Sequence, residues 1–212
     1  MFLVGLTGNY GTGKSTVLKI FQKLGALTYD ADKIVESLLQ EKDVLQKIRN
    51  LFGDGIFQAN GGLDKQKVAA IIFSDNASRR SLEDILHPLV FKKINRLLEH
   101  ADRKSRIAIV ETPLLFEGGY EGRFQRIITV QSEQERALHR LEKKGLKREE
   151  ALQRIRSQLP IEEKIRKSDF TVNNNGTPAE TEQQVKNIYE KLLQEGHHGD
   201  RCRARSLKYN IP

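Results

Sequence analysis

Hydrophobic residues along this chain follow two spacings, short apolar runs and longer amphipathic stretches. Apolar runs of about four to eight residues between turn residues are typical of buried strands, and apolar residues three and four positions apart predict helices. Strands separated by helices indicate an α/β fold, here a five-stranded parallel sheet with helices on both faces. The five runs that predict strands are FLVGL (2–6), GALTYD (25–30), RIAIVE (106–111), RIITVQ (126–131) and DFTVNN (169–174).

Several of the predicted helices carry recognisable end signals. Thr177 and Glu180 flank a proline and form a capping box at the start of the last helix, which is expected to run to Gly196. Ser132 and Glu135 have the same spacing and predict a second capping box. The helix after the first strand places four apolar side chains on one face: Val17, Leu18, Phe21 and Leu24.

A glycine-rich segment, LTGNYGTGKST (6–16), joins the first strand to the first helix. Gly8, Gly13, Lys14 and Ser15 fill the pattern G-x-x-x-x-G-K-[ST]. Such a loop turns backbone N–H groups towards phosphate oxygens, the lysine reaches the outer phosphates, and the hydroxyl ligates Mg²⁺. A strand before the loop and a helix after it are the context that this P-loop requires. The sequence therefore predicts a nucleotide-phosphate site.

Carboxylates follow two of the other predicted strands. Phosphoryl transfer to a hydroxyl needs a carboxylate beside that hydroxyl, and ligands of parallel sheets lie at the carboxyl ends of strands. Asp32 fits this role, whereas Asp30 fits the cap of the following helix. Glu111 and Glu117, after the third strand, are either Mg²⁺-associated carboxylates or solvated loop acids.

A basic helical hairpin follows the fourth strand. Arg136 and Arg140 lie four residues apart, and Gly145 interrupts the helix. An arginine-rich hairpin beside a nucleotide site is typical of a lid that brings positive charge to the transferring phosphoryl group. The alternative is a solvated amphipathic hairpin with Leu138 and Leu141 packed inward.

Composition narrows the class of protein. The 212 residues are 30% charged and 38% hydrophobic, without an apolar run long enough to span a membrane. The single cysteine excludes an internal disulfide and suits a reducing cytoplasm, where we expect the protein to reside. Four basic residues and one acidic residue in 197–212 give this tail +3 of the net charge of +8. The remaining excess suits polyanionic ligands.

Six segments occur in the order and spacing of the dephospho-CoA kinase family, which this chain resembles over residues 1–195. They are GLTGNYGTGKSTV, DADKIVE, LHPLV, PLLFE, ERALHRLEKKG and QLPIEEKIRKSDFTVNNNGT. The resemblance implies transfer of the γ-phosphoryl group of ATP to the ribose 3′-hydroxyl of dephospho-CoA, the last step of coenzyme A synthesis. It also implies Mg²⁺ with the ATP, and ATP and dephospho-CoA as the partners, without nucleic acid or membrane. We expect a monomer, with a weak oligomer as the alternative.

The resemblance also assigns residues. Asp32, Lys14 and Arg140 are expected to be catalytic, with Ser15 and Glu111 near the metal. Asp32 is also expected to bind the substrate, together with His87, Leu114 and Glu117. The residues expected to bind ATP are Gly8, Gly11, Thr12, Gly13, Lys14, Ser15, Thr16, Arg140, Asn175 and Gly176.

The resemblance to the family, together with the lengths of the segments, also predicts the domain organisation. Residues 1–196 are expected to form one P-loop kinase domain. The helical block of about 33–100 is too long for a simple crossover and is interpreted as the CoA-substrate lobe, with one helix on each side of His87 and Pro88. The core is expected to comprise 1–32, 101–131 and 159–196, the lid 132–158, and a disordered basic tail 197–212.

Three other classes of protein remain as alternatives. A switch GTPase would need an N-K-x-D segment, which NNNG does not supply. A nucleic-acid-binding ATPase would suit the positive charge, but the core has no aromatic–basic platform. A kinase for another hydroxyl substrate, such as a nucleoside or shikimate, would share the fold and the chemistry and differ in the lobe.

Overall fold

The computed structural model describes residues 1–58, 61–101 and 105–199. The predicted tail lies outside these residues from position 200 onward. The strands are β1 (Phe2–Thr7), β2 (Leu27–Asp30), β3 (Ile107–Glu111), β4 (Arg126–Gln131) and β5 (Phe170–Asn173). The helices are α1 (Lys14–Lys23), α2 (Ala31–Leu38), α3 (Lys42–Phe52), α4 (Lys65–Ser74), α5 (Asn76–Glu99), α6 (Gln134–Glu142), α7 (Arg148–Arg156), α8 (Ile161–Lys167) and α9 (Pro178–Gly199).

The strands form one sheet in the order β2-β3-β1-β4-β5, which confirms the predicted five-stranded parallel sheet. The central strand β1 pairs with β3 on one side and β4 on the other, so Leu6 lies opposite both Glu111 and Ile128. The loop after β1 therefore leaves the sheet where the chain order reverses. Open α/β sheets bind ligands at this position.

One face of the sheet is covered by α1 and α9, which pack against each other. Alternate strand residues point towards these helices, as the two-residue period of a strand requires. Val17 and Phe21 are fully buried, and Leu18 and Leu24 are partly buried against them, so the predicted apolar face of α1 is confirmed. The other buried members of this core are Val4, Leu6, Ala26, Ile107, Ile109, Ile128, Val130, Val172, Val185, Ile188 and Leu192.

The described part of the chain divides into two compact units, one formed by Met1–Tyr29 with the described residues between 101 and 199, and the other by Asp30–His100. Within the second unit, α5 packs against α2, α3 and α4. Its buried hydrophobic residues recur at helical spacing: Leu82, Leu86, Val90, Phe91 and Ile94. The buried residues of α2 and α3 are Ala31, Ile34, Leu38, Val44 and Ile48.

The prediction of two helices around His87 and Pro88 is wrong, because α5 runs unbroken through Pro88. A proline inside a helix removes one hydrogen bond and crowds the carbonyl of the residue four positions earlier. Here Pro88 and Asp84 both lie on the exposed side of α5, where water can bond the freed carbonyl. Packing of the buried side of α5 then keeps the helix continuous.

The two predicted capping boxes have different outcomes. Glu180 accepts from the Thr177 N–H at 2.6 Å, and Thr177 Oγ1 accepts from the Glu180 N–H at 3.3 Å, which confirms the first. The second is wrong, because α6 is capped by Glu133 without a side-chain cap bond. The Ser132 hydroxyl instead donates to Asn175 Oδ1, 43 positions away, and accepts from Arg140 Nη1, so these contacts replace the local cap.

Candidate active site

The loop between β1 and α1 has the backbone of a phosphate-binding loop. Gly8, Gly11 and Gly13 have φ angles of 142°, 80° and 94°, a region that other residues rarely adopt. A Cβ atom on Gly8 would collide with the Val130 carbonyl, and one on Gly11 would lie 2.7 Å from the Ala137 carbonyl oxygen. Glycine is therefore required at these positions by both conformation and space.

Lys14 begins α1 and is 7% exposed. Its Nζ donates to the Asn9 carbonyl at 3.1 Å, which brings the ammonium back over the loop. Thr12 Oγ1 donates to the same carbonyl at 2.9 Å. The first turn of α1, including Thr16, follows directly, so the positive end of the helix dipole adds to the charge of Lys14.

Ser15 and Glu111 come together at the ends of the loop and of β3. Ser15 Oγ donates to Glu111 Oε1 at 3.5 Å, and Glu111 is 7% exposed. Hydroxyl and carboxylate oxygens are hard donors, and Mg²⁺ is commonly held by one or two of them with phosphate oxygens and waters. The pair fits Mg²⁺ carried by ATP. Among the described residues, no group of three His, Cys, Asp or Glu side chains could hold a metal by itself.

Arg140 lies against the phosphate-binding loop. Its Nη1 donates to the Gly11 and Thr12 carbonyls, both at 3.3 Å, and its Nη2 donates to the Asn174 carbonyl at 2.9 Å. Burial, with a smaller effect from neighbouring Arg136, lowers the pKa of Arg140. An arginine has so high a pKa that it keeps its charge, which the structure thus holds beside the loop.

The hairpin of α6 and α7, which we call the α6–α7 hairpin, has its own small core. Leu138, Leu141 and Ala151 are buried there, and Gly145 turns the chain with a φ of 88°. The inward leucines and the loop-facing Arg140 thus occur together, so an amphipathic hairpin and a hairpin that brings arginine to the loop are not exclusive interpretations. A second link joins α7 to the loop, because Arg154 Nη1 donates to the Tyr10 hydroxyl at 2.8 Å.

The turn after β5 contacts the phosphate-binding loop at Thr12. Asn175 Oδ1 accepts from the Glu133 N–H at 2.7 Å, and Gly176 follows directly. The preceding residue, Asn174, donates from Nδ2 to the Thr12 carbonyl at 2.8 Å. Sequence reasoning missed Asn174, since three consecutive asparagines give no signal for which side chain turns inward.

Sequence reasoning also missed Lys164, a lysine of α8 that is 0% exposed. Its Nζ lies 2.8 Å from Glu117 Oε1 and donates to the Pro113 carbonyl at 2.9 Å. Burial lowers the pKa of Lys164, and Glu117 opposes that shift. Glu117 Oε1 also accepts from the Leu159 N–H at 2.9 Å, so this carboxylate joins the loop after β3 to α8. Its predicted contact with substrate stays a prediction.

The remaining predicted residues are placed as follows. Asp30 caps α2 by accepting from the Lys33 N–H at 3.2 Å, and Asp32 is exposed in the first turn of that helix. His87 is half-buried on α5. Burial lowers the pKa of His87, against an opposing effect of two acidic residues on the same helix. Leu114, in the loop after β3, is one of the few exposed large hydrophobic residues, at 46%.

A parallel α/β sheet with this loop after its central strand and an arginine-bearing hairpin beside it defines a P-loop kinase. The family model described as dephospho-CoA kinase matches residues 2–180, and the chain belongs to that family. Members of this family phosphorylate dephospho-CoA in the final step of coenzyme A biosynthesis. No helix within the described residues has the length and apolarity to cross a bilayer.

Individual relatives agree with this assignment. The chain is 36% identical to the dephospho-CoA kinase of Aquifex aeolicus, over 91% of this chain and 98% of that protein. A crystal structure of a Thermus thermophilus protein superposes with a TM-score of 0.80 at 31% identity, covering 92% of this chain and 97% of that one. The dephospho-CoA kinase structure from Campylobacter jejuni has a TM-score of 0.64 at 28% identity, covering 91% and 98%.

Proposed function

We propose that this chain transfers the γ-phosphoryl group of ATP to the ribose 3′-hydroxyl of dephospho-CoA, giving coenzyme A and ADP. The phosphate-binding loop carries the proposal: three glycines in left-handed backbone, a buried lysine at the start of α1, and Arg140 bonded to the loop from α6. Membership of the family supports the choice of acceptor.

The loop residues would bind the donor nucleotide. Backbone N–H groups of Gly11 and Gly13, with the first turn of α1, would bind the phosphate oxygens, and Lys14 would neutralise their charge. Ser15 and Glu111 would hold Mg²⁺, which when bound offsets charge on the β- and γ-phosphates. The turn around residues 173–176, with Asn175 and Gly176, would flank the nucleotide base.

Asp32 and Arg140 would serve the transfer itself. The bond between the γ-phosphorus and its bridging oxygen breaks while the 3′-oxygen bonds to phosphorus, and the hydroxyl proton passes to the Asp32 carboxylate. A hydroxyl has a far higher pKa than a carboxylate, so orientation by Asp32 comes first and proton uptake comes late. Arg140 carries a delocalised charge and several donors, which stabilise the negative charge of the transferring group.

The substrate lobe and the loop after β3 would contact dephospho-CoA. Asp30–His100 forms a compact unit of helices, which suits an acceptor-binding insertion. His87 is half-buried, and Leu114 offers an exposed apolar surface. Glu117 completes the proposed acceptor contacts. We further propose a monomeric protein that acts in the cytoplasm.

An ADP-release assay with several acceptors tests the proposal. We expect ADP to form with dephospho-CoA and Mg²⁺-ATP, and only background release with nucleosides or shikimate. Lys14→Ala serves as the control, because it removes a charge aimed at the transferring group and should lower turnover by about two orders of magnitude or more. Faster turnover of a nucleoside or of shikimate than of dephospho-CoA would refute the proposed acceptor.

A further inference from the structure

Asn174 occupies a buried position directly beside the phosphate-binding loop. The residue is 9% exposed, and its Nδ2 donates to the Thr12 carbonyl at 2.8 Å. Its Oδ1 accepts from Thr181 Oγ1 at 3.0 Å, and Thr181 is 1% exposed. A carbonyl oxygen can only accept, so the bond to Thr12 fixes which end of the amide faces the loop.

The main chain of Asn174 makes two further contacts with the same site. Its N–H donates to the Gln131 carbonyl at the end of β4, at 2.9 Å. Its carbonyl accepts from Arg140 Nη2 at 2.9 Å. One residue thus holds the loop through its side chain and Arg140 through its backbone.

The contact with Thr12 determines the orientation of the next N–H group. A trans peptide is planar, with its C=O and N–H pointing in opposite directions. When the Thr12 carbonyl is held towards Asn174, the Gly13 N–H must point the other way, to the side where successive N–H groups of such a loop meet phosphate. The fit is close, since a Cβ atom on Gly13 would collide with the Asn174 side-chain amide.

We propose that Asn174 is a positioning residue for phosphoryl transfer, which orients the Thr12–Gly13 peptide towards the ATP phosphates and holds Arg140 beside it. The part that concerns Arg140 and turnover rests on the proposed function. The part that concerns ATP binding does not depend on which acceptor is used.

Two substitutions at this position test the proposal together. Asn174→Ala removes the donor without adding charge, and Asn174→Asp removes it while keeping the size and the acceptor for Thr181. Both leave the Thr12 carbonyl without its amide partner, and both should weaken binding of a non-hydrolysable ATP analogue by about 10- to 100-fold. Isothermal titration calorimetry with Mg²⁺ and without acceptor gives this value directly.

Steady-state kinetics supply the readout that a merely structural role would not move. Arg140→Ala should lower kcat by a smaller factor in the Asn174→Ala background than in the wild type. Arg140 Nη1 also donates to the Thr12 carbonyl, and in that background the Asn174 amide no longer holds this carbonyl. Equal factors in the two backgrounds would overturn the coupling. An unchanged affinity for the ATP analogue with only a lower melting temperature would overturn the whole proposal.

Matched variants keep the test decisive. Asn187→Asp makes the same chemical change at an exposed position of α9 and keeps its acceptor for Gln183, so ATP affinity should be unchanged. If both Asn174 variants fail to fold, Thr181→Val provides the test, because it removes the hydroxyl that bonds Asn174 Oδ1. This variant should weaken binding of the ATP analogue by about 3- to 10-fold. Unchanged binding would overturn the proposal. Loss of analogue affinity in a protein that does not phosphorylate dephospho-CoA would refute the proposed acceptor and support the role of Asn174.

Discussion

Replacing Lys164 by Met would separate the two partners of the buried ion pair. Met keeps the apolar stem and removes the ammonium, and with it the contacts to Glu117 Oε1 at 2.8 Å and to the Pro113 carbonyl at 2.9 Å. Glu117 then loses its cation but keeps the Leu159 N–H, and its side chain is 20% exposed. Water can therefore reach this carboxylate in part.

The converse substitution, Glu117→Gln, leaves an ammonium whose side chain is 0% exposed. Breaking a buried pair costs about 3–5 kcal/mol, because an uncompensated charge stays behind. Partial hydration of Glu117 should bring the cost of Lys164→Met below that range, to about 2–3 kcal/mol, whereas Glu117→Gln should cost about 3–5 kcal/mol at neutral pH. Glu117→Gln should lose more stability than Lys164→Met, because the charge that it leaves behind, on Lys164, is the more deeply buried of the two.

Urea denaturation of the single variants and the double variant measures these free energies. Removing both charges should cost less than the sum of the single changes by about 1–3 kcal/mol. Burial already lowers the pKa of Lys164, and without the carboxylate it should fall further. The unfolded Glu117→Gln chain then binds more protons than the folded one, so stability should rise from neutral pH to about pH 9. Simple additivity, or a smaller loss in Glu117→Gln than in Lys164→Met, would refute the reasoning.

Three further predictions concern the proposed catalytic groups and His87. Asp32→Asn should lower kcat by about 10²–10⁴, the range for loss of a general base, and retention of a tenth of the activity would contradict that role. Asp30→Asn is the control, because Asn caps a helix as well as Asp does, so its kcat should stay near that of the wild type. Arg140→Ala should lower kcat more than the affinity for dephospho-CoA, and a pure effect on KM would make it a binding residue. Because burial lowers the pKa of His87, the unfolded chain takes up its proton first as the pH falls through the ordinary value of 6.5. The free energy of unfolding should therefore fall as the pH is lowered from about 6.5 to the pKa of His87 in the folded state. Urea denaturation of His87→Gln should show a weaker dependence of this free energy on pH over the same range, and an unchanged dependence would assign the effect to another group.

The sheet could be predicted from local sequence because its strands are short apolar runs, and β3 and most of β1 and β4 are buried. Every residue of β3 is buried, and the predicted run differs from the strand by only one residue. The Pro88 signal was also local, but the surrounding packing decided the outcome, since one side of α5 is buried at Leu86 and Val90 while Pro88 is exposed. The capping signal at Ser132 failed for the same reason, because its hydroxyl bonds Asn175, 43 positions away, and Arg140.

The site shows the same division between local and distant signals. The phosphate-binding loop is contained in one contiguous pattern, so its glycines and Lys14 could be identified from sequence. Asn174 contacts Thr12 across 162 positions, and Lys164 reaches Pro113 across 51. A buried lysine looks the same in sequence as a solvated one, because only the fold determines which side chain loses its water. The polar contacts of Asn174 and Lys164 could therefore not be predicted from the sequence.

The α6–α7 hairpin is fastened to the core at both of its ends. At the start, the Glu133 N–H bonds Asn175 Oδ1. At the exit, both backbone groups of Leu159 are engaged, the N–H with Glu117 and the carbonyl with Asn9 Nδ2 at 3.1 Å. Two fixed points define an axis and leave the angle about it free. If these end contacts persist while the bonds of Arg140 and the Arg154–Tyr10 bond are released, a rigid hairpin keeps a single degree of freedom. That motion is rotation about the line through residues 133 and 159, which moves Arg140 along an arc.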